Sequence, residues 1–182
     1  MILGITGSFG AGKGAVVDYL VQQKGFVHFA ARAFITDEIN RRGLPVDRDS
    51  MAMVANDLRA KHGATYVMES LLKEAEASGK DAVIESLRAV AEAQFIQQEG
   101  GIVLGIDAPP EIRFERVIRR ASETDHVTFE KWVEQEQKES NTDDPTKQDI
   151  FGALRISDVI IQNDGTLKDL YKEIDAFLDA FQ

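Results

Sequence analysis

With 182 residues, 43% of them apolar and 29% charged, the chain has the size and composition of one soluble globular domain with a sizeable core. It has no cysteine, which excludes disulfides and thiolate metal sites, and no apolar run long enough for a helical membrane span; an N-terminus that reads as a core strand argues against a signal peptide and for a cytoplasmic setting. A net charge of −10 argues against a general nucleic-acid surface, so an anionic ligand must be held by local arginines against an acidic background.

The chain opens on Ile2-Leu3-Gly4-Ile5-Thr6, an apolar run that reads as a buried parallel strand. It breaks into Gly7-Ser8-Phe9-Gly10-Ala11-Gly12-Lys13-Gly14 and resumes as a helical stripe through Val16, Val17, Leu20 and Val21. Strand, glycine loop and helix bring backbone N–H groups to a helix N-terminus, a ready anion site. Gly7, Gly12 and Lys13 have the spacing of a phosphate-cradling loop, with Ser8, Phe9, Gly10 and Ala11 as its wall and Lys13 reaching the β- and γ-phosphates of a nucleotide. Gly14, followed by Ala15, stands where a Ser or Thr hydroxyl ordinarily reaches Mg²⁺. A dinucleotide loop stays open at this point, because Gly10, Gly12 and Ala15 also satisfy G-x-G-x-x-A and Arg32 could accept the 2′-phosphate of NADP. That reading leaves Lys13 and much of the later chain unexplained.

Residues 26–30 read as a second strand, followed by a helix over 32–43 with Phe34, Ile35 and Ile39 on one face. Leu44-Pro45 is a break, and Asp47 to Ser50 supply capping residues for a helix carrying Met51, Val54, Ala55 and Leu58. Another helix spans about 64–78 and closes at Gly79, so 32–80 forms a helical wall of a cleft. Ala82-Val83-Ile84-Glu85 is the third strand, 89–99 a helix, and Ile102 to Asp107 the fourth strand. Pro109-Pro110 starts a helix to about Arg120; 121–149 is polar, with one short apolar stripe at Phe129, Trp132 and Val133, and reads either as a lid or as a charged surface helix. Val159 to Gln162 is the fifth strand, and Thr166 with Asp169 caps a final helix running to Phe181. Five apolar strands alternating with helices predict an α/β domain, a parallel sheet covered on both faces.

Ligands of such sheets lie beyond the carboxyl ends of the strands, which makes the residues after each strand informative. Glu85, an acid closing Ala-Val-Ile, can hold Mg²⁺ through its water shell. Arg32, Arg48, Arg59 and Arg88 lie in the block facing the cleft, and as a group they suit an acceptor that already carries a phosphate. Arg116 and Arg120, four residues apart, share one helix face; Arg119 points elsewhere. The three histidines, His28, His62 and His126, have no ligand spacing and read as structural or solvated.

Gly-Ser-Phe-Gly-Ala-Gly-Lys-Gly, Val-Ile-Glu-Ser-Leu-Arg, Asp-Ala-Pro-Pro-Glu-Ile-Arg-Phe-Glu-Arg and Ile-Ile-Gln-Asn-Asp-Gly-Thr-Leu together resemble the P-loop kinases of small metabolites. The likeness is to dephospho-CoA kinase and the nucleoside monophosphate kinases, and it covers nearly the whole chain. The resemblance implies the three-layer P-loop NTPase fold with strand order 2-3-1-4-5, ATP on the loop, an acceptor region over about 32–80 and a lid over about 121–149. Lys13, Glu85 and Arg120 are then catalytic, Arg88 binds the acceptor phosphate, Arg116 and Arg120 lie near adenine and the transferred phosphate, and Asn163 to Gly165 lie by the adenine. Ala30-Ala31-Arg32 replaces the Asp that usually closes the second strand of dephospho-CoA kinase, which points to a (deoxy)nucleoside monophosphate as acceptor. The missing loop hydroxyl keeps a second possibility, a binding or regulatory NTPase with little transferase activity.

Overall fold

In the computed structural model, which describes residues 1–120, 128–139 and 148–181, every expected strand is present. β1 (Ile2–Gly7) leads through the glycine loop into α1 (Lys13–Lys24), and β2 (Val27–Ala30) passes directly into α2 (Ala31–Arg41). The helical wall continues with α3 (Arg48–His62) and α4 (Tyr66–Ser78), and β3 (Ala82–Glu85), α5 (Val90–Gln98) and β4 (Ile102–Asp107) follow. The chain ends with α6 (Pro110–Arg120), α7 (Phe129–Glu139), α8 (Ile150–Arg155), β5 (Val159–Gln162) and α9 (Leu167–Ala180).

All strand pairs are parallel, in the order β2-β3-β1-β4-β5. Alternation along the strands divides the core in two. Ala82, Ile84 and Val103 face the layer of α2, α3, α4, α5 and α8. Leu3, Ile5, Val83, Leu104, Ile106 and Ile161 face α1 and α9. The order reverses at β1, flanked by β3 and β4, so the glycine loop leaves the sheet at its switch point, where an open parallel sheet has its crevice.

The wall beside the crevice is tied by charge as well as by packing. Arg42 at the end of α2 bridges Glu38 at 2.6 Å and Asp57 of α3 at 2.7 Å. Asp47 caps α3 by accepting a bond from the Ser50 N–H at 2.8 Å, as its sequence position predicts.

One element was not anticipated in the sequence. The six-residue α8 follows the polar stretch 121–149, and Asp149 caps it by accepting from the Gly152 N–H at 2.7 Å. Within residues 121–149, α7 packs on α6 through its apolar stripe. Phe114 meets Phe129 edge-on at 5.4 Å and lies 5.7 Å from Trp132, which is only 5% exposed. The remainder of that segment, 121–127 and 140–147, lies outside the described residues, as do the side chains of Arg48 and Arg120.

Candidate functional site

The glycine loop is built to expose main-chain donors. Gly12, at φ +101°, is the N-cap of α1, and no side chain caps the helix there. No acid occupies the first turn, so the positive pole of α1 faces the crevice with its N–H groups available to an anion. Gly12 is required twice over: its φ lies in the left-handed region, and a Cβ would collide with the Asn163 Nδ2 atom. Gly12→Ala is expected to cost about 1–2 kcal/mol in backbone strain alone, to displace Asn163 and to weaken nucleotide binding. Urea unfolding together with an ATP titration checks this; unchanged values in both would show that the loop tolerates a side chain.

Asn163, at the end of β5, is the loop's outer brace, donating from Nδ2 to the Ala11 carbonyl at 2.8 Å. Arg116 of α6 donates to the same carbonyl at 3.4 Å. Two residues assigned to nucleotide binding from sequence thus meet on one loop atom. Phe9, in the same loop, is 61% exposed. Gly165 lies in the turn into α9, against Asp169.

Lys13 curls back over the loop, its Nζ donating to the Gly7 carbonyl at 2.8 Å and the Ser8 carbonyl at 3.0 Å. Across the sheet, the register sets Ala30 of β2 beside Glu85 of β3. His28, two residues back on β2, brings Nε2 to 2.9 Å from the Glu85 Oε2. That hydrogen bond, aided by the charges of His28, Lys13 and Arg88, holds the Glu85 carboxyl below its ordinary value against the opposing effect of burial. Glu85 is therefore an ionised acid hydrogen-bonded to His28, with Lys13 and Arg88 near it. The next residue, Ser86, has φ +77°, a conformation costly for a residue with a Cβ.

The four arginines read as acceptor ligands separate on inspection. Arg88 is exposed beside Glu85, and Arg32 is exposed on the first turn of α2 after β2. Arg59 is instead engaged, its Nη2 lying 3.5 Å from a Glu92 carboxylate that is itself buried. Glu92 accepts from the Arg88 N–H at 2.7 Å and the Ala89 N–H at 3.2 Å, so Arg59 supports the turn that presents Arg88. Arg119 is exposed, as expected.

Sequence reasoning missed two participants, His28 and Arg113, and gave a third, Asp107, a place at a strand end but no role. His28 is the partner of Glu85 and not simply a structural or solvated ring. Asp107, closing β4, accepts a hydrogen bond from the Ser8 hydroxyl. Arg113, only 3% exposed, lies under the loop and donates to the Phe9 carbonyl at 3.3 Å. A signal for Arg113 existed: it is three, four and seven residues before Arg116, Val117 and Arg120, which puts all of them on one face.

A family model for the AAA domain matches residues 3–142. A UPF0200 protein of Aeropyrum pernix is 29% identical over 172 residues, covering 93% of this chain and 88% of its own. Among solved structures, TT1252 from Thermus thermophilus is similar with a TM-score of 0.66 and 19% identity, over 100% of this chain and 98% of that one. Shikimate kinase from Aquifex aeolicus is similar with a TM-score of 0.54 and 19% identity, over 99% and 97%. The glycine loop at the switch point, the strand order and these likenesses agree on a P-loop kinase-like fold, and the chain belongs to the AAA domain family.

Proposed function

We propose that the protein is an ATP-dependent phosphotransferase whose acceptor is a small metabolite already carrying a phosphate, with a (deoxy)nucleoside monophosphate as the leading candidate. The observation that carries this reading is an ionised Glu85 at the end of β3, hydrogen-bonded to His28 at 2.9 Å, with Lys13 of the glycine loop and the exposed Arg88 three residues on. Phosphoryl transfer asks a protein mainly for position and charge neutralisation, and Lys13, Glu85 and Arg88 sit between the loop and the helical wall. The loop N–H groups and Lys13 would bind the β- and γ-phosphates, and Arg116 and Asn163 would border the base. Arg120 is assigned to the transferred phosphate from its place on the Arg116 face of α6, and Arg48 and Arg32 to the acceptor side from their place in the wall.

The acceptor class follows from where the carboxylates are. A hydroxyl acceptor needs a base near its proton, but β2 ends in Ala30-Ala31-Arg32, Glu85 is held by His28, and Asp107 by Ser8. An acceptor phosphate is already ionised and needs cations, which Arg88 and Arg32 provide. Dephospho-CoA, a hydroxyl acceptor, fits this arrangement less well.

Among the described residues no group of three or more His, Cys, Asp or Glu can hold a metal unaided. Glu85 fits a Mg²⁺ held chiefly by nucleotide oxygens and water with one protein carboxylate. When bound, such an ion neutralises charge on the transferring phosphate. The absence of a hydroxyl at Gly14 and Ala15, and the bonds of Lys13 to the loop's own carbonyls, favour a second reading, a regulatory NTPase with little transfer activity.

ADP release measured with each nucleoside monophosphate, with dephospho-CoA and with no acceptor separates the readings. Turnover that requires a monophosphate is expected; equal turnover without any acceptor would favour the regulatory NTPase. Arg88→Ala is expected to raise the acceptor KM by the worth of a charged hydrogen bond, about 1.5–3 kcal/mol, while leaving ATP affinity alone. Separate calorimetric titrations of ATP and acceptor check this, and an ATP affinity that drops as far as the acceptor's would overturn it.

A further inference from the structure

We propose that Arg113 is a positioning residue through which α7 sets the conformation of the phosphate loop, and with it the affinity for nucleotide. The inference rests on the nucleotide-binding reading above, but its central observation is independent of any reaction. Arg113 is nearly fully buried, and the contacts of its guanidinium join three parts of the fold: the end of β4, the glycine loop and α7. Nε donates to the Ala108 carbonyl at 2.8 Å, just beyond β4, and lies 3.7 Å from the Asp107 carboxylate. Nη1 donates to the Phe9 carbonyl of the loop at 3.3 Å. The same Nη1 forms a short ion pair with Glu136 of α7, and the cation lies 5.1 Å from the centre of the Trp132 ring, also on α7.

Asp107 closes the circuit, because it also accepts the Ser8 hydroxyl. The loop is therefore gripped at two successive residues, at the Ser8 side chain by Asp107, which faces Arg113, and at the Phe9 carbonyl by Arg113 itself. A buried guanidinium is costly unless its charge and its N–H groups are matched. Glu136 matches the charge, and Trp132 supplies a ring face in place of water. Both come from α7, an element that otherwise holds to α6 through Phe114, Phe129 and Trp132. When α7 is docked, Arg113 is neutralised and aimed at the loop. When α7 leaves, the guanidinium loses its carboxylate and turns to water or to Asp107, and the Phe9 carbonyl loses its donor. Docking of α7 and ordering of the loop are thus one equilibrium, and nucleotide bound on the loop must favour docked α7 by the same factor.

The test uses the full chain with Glu136→Gln, which keeps the shape on α7 and removes the charge, and with Trp132→Leu, which removes the ring face. Three readouts are taken: thermal unfolding, ATP and ADP affinity by calorimetry, and amide hydrogen exchange of peptides spanning residues 7–12. Either variant is expected to weaken both nucleotides about fivefold and to speed exchange of the loop, as a change at a coupled residue does. Both variants are expected to lower the melting temperature, because each removes a partner of a buried guanidinium, so affinity and exchange are measured well below either transition. Saturating ATP should slow exchange in α7 of the wild type. Nucleotide affinity and loop exchange both unchanged, with α7 exchange faster, would reduce Arg113 and Glu136 to a packing contact and overturn the proposal. A wild type that binds neither ATP nor ADP would instead defeat the nucleotide-binding reading, and the loop exchange of the two variants would still decide whether α7 sets the loop.

Discussion

Lys13→Ala is expected to abolish most phosphoryl transfer while leaving the fold in place. Lys13 is the only Lys or Arg within the glycine loop, and it stands at the base of the α1 N-terminus, where the phosphates would lie. Removing one preorganised donor aimed at developing charge costs about 2.7–4 kcal/mol, roughly 10²–10³-fold in kcat. The Gly7 and Ser8 carbonyls, which belong to buried residues, lose the Nζ donor, a cost to stability that the thermal melt reads apart from the rate. Lys13→Arg should not restore activity, because a planar fork cannot replace a compact ammonium at this position. ADP release together with a thermal melt checks both variants. Turnover near the wild type in Lys13→Ala, with an unchanged melt, would remove Lys13 from the chemistry.

The parts of this site that are local in the chain were legible in its sequence. The loop, its glycines and Lys13 lie within eight residues, and the strand–loop–helix pattern that gives them meaning is continuous. β4 and β5 have the expected bounds because apolar runs stand against Gly100-Gly101 and Ser157-Asp158 on one side and turn residues on the other. α8 escaped notice because six residues carry no full apolar period, and its cap, Asp149, sits in a run already rich in acids. The start of α2 was blurred for another reason: β2 hands over to it at Ala30-Ala31 with no turn residue between them.

What could not be read is pairing across the sheet. His28 and Glu85 are 57 positions apart, and Ser8 and Asp107 are 99 apart; only the strand order brings each pair within a hydrogen bond. Exposed arginines could not be told from engaged ones for the same reason. Arg59 and Arg88 look alike in the sequence, and the buried carboxylate of Glu92 is what separates them. The stripe of Phe129, Trp132 and Val133 announced an apolar helix face; that the face covers Phe114 and flanks a buried guanidinium depends on how α6 leaves β4.

Glu85→Gln is the second substitution from which a large effect is expected, and it acts on the metal. With Gly14 and Ala15 in place of a hydroxyl, Mg²⁺ on a bound nucleotide would have Glu85 as its carboxylate on β3. Gln keeps the shape and removes the charge, so turnover should fall by about 10²-fold and the Mg²⁺ requirement should rise, the usual scale for losing one electrostatic group in a closed site. ATP affinity measured without metal should hardly change, whereas affinity with Mg²⁺ should fall. Gly14→Ser should recover part of the loss: a Cβ at Gly14 meets nothing within 4 Å, so the hydroxyl can be added without a clash. The acid limb supplies a separate check. Because the Glu85 carboxyl lies below its ordinary value in the folded protein, its ionised form stabilises the fold above the usual carboxyl range, and that contribution is lost as the pH falls through the folded value. The melting temperatures of wild type and Glu85→Gln should therefore differ most near neutral pH and converge in acid. Mg²⁺ titrations of rate and of ATP binding for wild type, Glu85→Gln and Glu85→Gln with Gly14→Ser decide the matter. Superimposable Mg²⁺ curves for wild type and Glu85→Gln, with the pH-dependent melts still converging in acid, would leave Glu85 as the structural partner of His28 and take the metal away from it.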